Sequence, residues 1–205
     1  MSRTAFFLCL LFYGEFAFAE TIFYLHGRII EEEGPRPVHE RFGLYDYPAI
    51  VEALAADGAL IISEVRESGT KAHEYAQIVV DQIEELIAKG NAPESITVVG
   101  FSKGGSIAIY ASMLLNHPDV NFVFIAACAD WVSSYPELIV SGNVFSIYEK
   151  SDTLAGSCAS LAKRNEELSS FSELAVSTGK EHGAFYLPTS EWVDPLLVWV
   201  RSRKR

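Results

Sequence analysis

Positive charge is in short supply: 16 Lys and Arg residues stand against 27 Asp and Glu, a net charge of −11 over 205 residues. That balance argues against a nucleic-acid partner and against electrostatic docking on anionic lipid. Long apolar runs are lacking too. The run from Ala5 to about Gly14 falls short of the about 20 residues that a bilayer span needs. There are three cysteines, with neither a Cys-x-x-Cys pair nor a His-Glu-x-x-His, so a metal site has little support and no cofactor is implied. No internal repeat, low-complexity linker or second-domain break interrupts the chain.

Apolar residues make up 49% of the sequence and charged ones 21%, enough to bury the core of one compact α/β-sized domain. The first 19 residues read as an export signal: Arg3, the apolar run, then Ala17-Phe18-Ala19 as an A-x-A cleavage site before Glu20. The expected organisation is a signal peptide over 1–19 and a single domain over 20–205, exported to the periplasm or beyond, with no stable membrane anchor after processing. Removing the signal takes away one charge of each sign, Arg3 and Glu15. Export leaves Cys128 and Cys158 where disulfides persist. The first ends one expected strand and the second follows the next, so a bridge is expected, with two buried thiols as the alternative.

From residue 21 onward short β-branched runs alternate with helical periodicities, the pattern of βαβ units and a parallel sheet. Six strands are expected, at 22–25, 60–63, 96–99, 122–126, 144–148 and 174–177. Helices are expected through Ala72–Leu86, Ile107–Leu115 and Trp192–Val200. The fold class is a three-layer α/β/α sandwich with a mainly parallel sheet of about six strands. The stretch from Gly27 to about Asp46 has no periodicity and reads as a long functional loop, with Glu31, Glu32 and Glu33 on a solvated face and a cation-selecting substrate rim as the alternative.

The chemistry centres on Gly100-Phe101-Ser102-Lys103-Gly104, a G-x-S-x-G turn between a strand and a helix. A phosphate loop is excluded, because its lysine follows the second glycine and Lys103 precedes it. A serine nucleophile needs a base oriented by an acid. His73 and His117 belong to helix surfaces, and nothing fixes His39 to a role. His182 follows the last strand, and Asp152 ends the strand before it. Asp130, one strand earlier, is the alternative acid, and Glu149 is expected in or beside the strand.

The motif context, the order Ser-Asp-His and the pair His26-Gly27 after an early strand resemble the α/β-hydrolase family, across about residues 21 to 200. That resemblance implies a triad of Ser102, Asp152 and His182, and an oxyanion hole from the backbone N–H groups of Arg28 and Lys103. It casts His26 as structural and turns the Lys103 side chain to solvent. The first two strands of the family pattern are absent, and the segment from Asp130 to Val144 has no room for a substantial lid. The expected activity is cleavage of small or medium acyl esters through an acyl-enzyme. A thioesterase or peptidase using the same triad, and a non-catalytic binding protein on the same frame, stand as alternatives.

Overall fold

The computed structural model describes residues 20–203, so the signal peptide expected over 1–19 lies outside the described residues. Six strands form one all-parallel sheet: β1 (Thr21–Leu25), β4 (Leu60–Ile62), β5 (Ile96–Phe101), β6 (Asn121–Ile125), β7 (Asn143–Glu149) and β8 (Ser170–Val176). Their order is β4-β1-β5-β6-β7-β8. A short hairpin pairs β2 (Val38–His39) with β3 (Gly43–Leu44) outside it. The four central strands are buried almost throughout, which is why they read as continuous apolar runs rather than as an alternation.

Alternate residues along each strand feed opposite faces. Ile22, Tyr24, Val99, Val123, Ile125, Phe145 and Ile147 pack against α2 (Tyr47–Leu54) and α7 (Ser190–Arg201). Phe23, Leu25, Val98, Phe122 and Phe124 pack against α3 (Ala72–Ala88) and α4 (Lys103–Leu115). Helical spacing aims Ala76, Val79 and Ile83 of α3 at the sheet, and burying a side chain the size of Val79 or Ile83 contributes about 1.5–3 kcal/mol. The three-layer sandwich expected from the sequence is the observed architecture.

The stretch from Gly27 to Asp46 is not an irregular loop. It holds α1 (Arg28–Glu33) and the β2–β3 hairpin, and Asp46 caps α2 by accepting the Ala49 N–H. Six residues and a two-residue ladder are too short to show as periodicity. The last strand begins at Ser170, four residues before the expected start. Its first residues, Ser170 to Glu173, are half-buried or exposed at the sheet edge and lack an apolar signature.

Register decides what meets at the sheet's C-terminal edge. Leu25 pairs with Gly100, Phe101 with Ile125, and Glu149 with Val176, so the segments leaving these strands emerge side by side. The chain leaves β1 toward one edge of the sheet and β5 toward the other. Such a reversal opens a crevice beyond the strand ends. The β6–β7 connection carries only α5 (Asp130–Ser133), so no lid covers that crevice from this side.

Cys128 and Cys158 are bridged, with their α-carbons 5.3 Å apart, and the Gly156 N–H donates to the Cys128 carbonyl. The segment 150–158, which carries Asp152, is thereby tied to the end of β6. Thiol titration of the denatured, unreduced protein lacking residues 1–19 should find no free cysteine. Replacing both cysteines by serine should lower the unfolding free energy in urea by about 3 kcal/mol; a change under about 0.5 kcal/mol would contradict a stabilising bridge.

Candidate active site

Ser102 stands between the end of β5 and the start of α4 with φ 55° and ψ −116°, a backbone conformation that costs a non-glycine residue about 1–3 kcal/mol. Close packing enforces it. A Cβ on Gly104 would lie 1.8 Å from the Leu25 carbonyl oxygen, and one on Gly100 would lie 2.2 Å from the Gly104 carbonyl oxygen. The Ser102 N–H donates to the Ile125 carbonyl (2.9 Å), so neighbouring β6 anchors the turn. Only glycine on either side lets the chain turn this sharply.

His182 sits in the short 3-10 helix Glu181–Phe185 that follows β8, and Asp152 lies beyond the end of β7. The His182 Nδ1–H donates to Asp152 Oδ2 (2.7 Å), with the carboxylate wholly buried and the imidazole 9% exposed. Asp152 Oδ1 also accepts the Leu154 N–H (2.8 Å), which orients the carboxylate. The rings of Phe101 and Phe42 pack against the imidazole at 4.9 and 6.1 Å. With Nδ1 committed to Asp152, Nε2 is the nitrogen left for chemistry. Asp130 starts α5 on the exposed surface, so of the two candidate acids it is Asp152 that the fold joins to His182.

Ser102 and His182 line one cavity of about 610 Å³, together with Gly27, Arg28 and Lys103, and Phe42, Phe101 and Tyr186 are among its apolar residues. Arg28 and Lys103 are the first residues of α1 and α4, where backbone N–H groups have no intrahelical partner. The Arg28 side chain is exposed and pairs with Glu32. His39, on the hairpin, accepts the Arg41 N–H at Nδ1 and stacks on Phe42 at the cavity's edge. His73 and His117 stay on the outer helices' side, as expected.

Two expectations fail beside the serine. Glu31 is buried, not solvated, and the Lys103 side chain does not project to solvent. Arg66 Nε meets Glu31 Oε1 at 3.0 Å, and the Lys103 ammonium bonds the other oxygen. Two cations offset the cost of burying this carboxylate, and the cluster links α1, the segment after β4 and the residue following Ser102. Sequence could not show it, because its members are 35 and 72 positions apart.

His26 is completely buried; its Nδ1–H donates to the Gly27 carbonyl (2.8 Å), and its Nε2 accepts the Arg66 N–H (3.1 Å). The phenol of buried Tyr45 accepts the Gly27 N–H. His26 is thus structural. Burial first, and then the Arg66 guanidinium, lower its pKa from 6.5 to about 4.

No protein-family model matches the chain, and neither does any curated protein sequence. Solved structures do resemble it. Arabidopsis thaliana SOBER1 superposes with a TM-score of 0.59 at 12% identity, covering 90% of this chain and 99% of its own. An esterase, PE8, gives 0.60 at 11% identity over 90% of this chain and 93% of its own. An arylesterase gives 0.61 at 13% identity over 91% and 77%. At such identities the likeness is one of fold.

The His26 shift carries a stability prediction. An unfolded histidine takes up a proton near pH 6.5, whereas the folded one resists until about pH 4. The stabilisation from neutral His26 is therefore complete above pH 6.5 and is lost as pH falls through that window, by about 3 kcal/mol in all. Urea unfolding at several pH values between about 7.5 and 4.5 should show a shallower decline for His26→Asn than for wild type; equal slopes would rule out this site as the source.

Proposed function

We propose, from the α/β-hydrolase fold that the chain shares with these structures, that it is an exported serine hydrolase cleaving small or medium acyl esters. One observation carries the reading: a serine held at φ 55° opens into the same cavity as a histidine whose Nδ1 lies 2.7 Å from a buried aspartate. Serine is a weak nucleophile unless a base removes its proton, and an imidazole oriented by a carboxylate is such a base.

In this mechanism Nε2 of His182 takes the Ser102 hydroxyl proton as Oγ attacks the ester carbonyl. The resulting oxyanion is met by the N–H groups of Arg28 and Lys103 at two helix starts. Asp152 stabilises the imidazolium without taking its proton. The tetrahedral species collapses, the alcohol leaves with the proton from His182, and an acyl-Ser102 ester remains. Water, deprotonated by His182, attacks that ester and releases the acid, returning the proton to Ser102. Every step uses groups of this chain, and no cofactor enters.

The cavity supports this choice of substrate class. It has Phe42, Phe101 and Tyr186 along it, carries charged Arg28, Glu32 and Glu33 of α1 at its edge, and, among the described residues, the β6–β7 connection adds only the four-residue α5. A mouth with a charged rim suits short and medium acyl groups better than long lipid chains. The Cys128–Cys158 bridge supports an oxidising compartment, in keeping with an export signal over 1–19. Among the described residues no helix is long and apolar enough to cross a membrane.

A fluorophosphonate probe should label wild-type protein at Ser102 and leave Ser102→Ala unlabelled. Asp152→Asn should cut nitrophenyl-ester turnover by about 10³- to 10⁴-fold, whereas Asp130→Asn should stay within about twofold. Turnover should fall as the acyl chain lengthens. A folded wild-type protein that takes up no probe would point instead to a binding protein on this fold, and loss of activity in Asp130→Asn alone would reassign the acid.

A further inference from the structure

The carboxylate of Glu149, the last residue of β7, is buried and is reached from two separate segments. Its Oε1 accepts the N–H groups of Thr178 (2.8 Å) and Gly179 (3.0 Å), just beyond β8. Its Oε2 accepts both the N–H and the hydroxyl of Ser151, the residue before Asp152. The Ser151 oxygen accepts in turn the N–H of Glu181, the residue before His182. Glu181 has φ 53°, a conformation that needs its surroundings to hold it.

A buried carboxylate is costly unless its lone pairs are met. Burial pushes the Glu149 pKa up, but the Ser151 hydroxyl and the N–H groups of Gly179, Ser151 and Thr178 outweigh it, holding the group below the usual carboxylate range. The anion is thus kept by donors that belong to the Asp152 segment on one side and the His182 segment on the other. Asp152 and His182 lie in different loops with 30 positions between them, and their 2.7 Å contact exists only if those loops keep a fixed spacing.

We propose that Glu149 is a positioning residue: its carboxylate straps the segment before His182 to the segment carrying Asp152 and so sets the spacing of the acid–base pair. This rests on the serine-hydrolase reading above. Glu149 touches no reacting atom, and with both oxygens occupied it cannot stand in for Asp152. Its effect is on geometry, so it should appear in the rate of the chemical step and not in substrate binding.

The test uses Glu149→Gln, which retains one oxygen for Thr178 and Gly179 but turns an NH2 toward the Ser151 N–H. On a nitrophenyl ester, kcat should drop by about 10²-fold, as a displacement near 1 Å would produce, with KM within about twofold. The downfield proton resonance of the His182–Asp152 hydrogen bond should broaden or vanish, a change that a loss of stability alone would not cause in folded protein. Ser151→Ala, which removes the hydroxyl's bonds to Glu149 and from the Glu181 N–H, should lose about tenfold in kcat. Wild-type kcat and an intact resonance in folded Glu149→Gln would overturn the proposal, as would a loss confined to KM. If Glu149→Gln does not fold, Ser151→Ala decides: an unchanged kcat and resonance would overturn it. If wild type takes no fluorophosphonate label, the hydrolase reading fails instead, and the resonance in Glu149→Gln still tests the strap.

Discussion

The contact between Gly104 and the Leu25 carbonyl is the constraint on which the site depends. It presses the first turn of α4 onto the end of β1, at a distance that no side chain would survive. Because β1 and β5 are also paired in register up to Leu25 and Gly100, the His26-Gly27 turn and the Ser102 turn leave the sheet as neighbours. That close approach sets the strained serine beside the first residues of α1 and α4. The strain at Ser102 persists because backbone on two sides leaves the turn no other path.

Two buried carboxylates brace this arrangement, and they are stabilised by different means. Glu31 is neutralised by Arg66 and Lys103, an ionic solution that ties together three chain segments around the Ser102 turn. Glu149 is stabilised by N–H and O–H donors drawn from the segments that carry Asp152 and His182. One brace thus stands beside Ser102 and the other beside the Asp152–His182 pair. His26 adds a third element: an imidazole kept neutral by burial, whose two nitrogens link the Gly27 and Arg66 backbones.

Much of the fold was legible because its signals are local. The buried central strands are short β-branched runs, and α3, α4 and α7 show helical spacing, so layer order followed from alternation. Ser102 was legible for the same reason, since two glycines and a strand-to-helix context lie within a few residues. Strand ends point to Asp152 and His182, but only the fold shows which loop, that of Asp152 or that of Asp130, reaches the imidazole. What stayed hidden was short or distant. The six-residue α1 and the β2–β3 hairpin carry no period, and Glu31 within Glu-Glu-Glu looks like solvated charge until Arg66 and Lys103 are brought to it.

Local sequence was enough for the sheet, the G-x-S-x-G turn and the chain order of Ser102, Asp152 and His182, because each is written in neighbouring residues. Tertiary structure alone decided which acidic residue meets His182, which way the Lys103 side chain turns, and that Glu31 and Glu149 are buried. Those outcomes depend on strand register and on burial energies of charges far apart in the chain. A carboxylate's surroundings are set by where the sheet delivers its partners, and no local pattern encodes that.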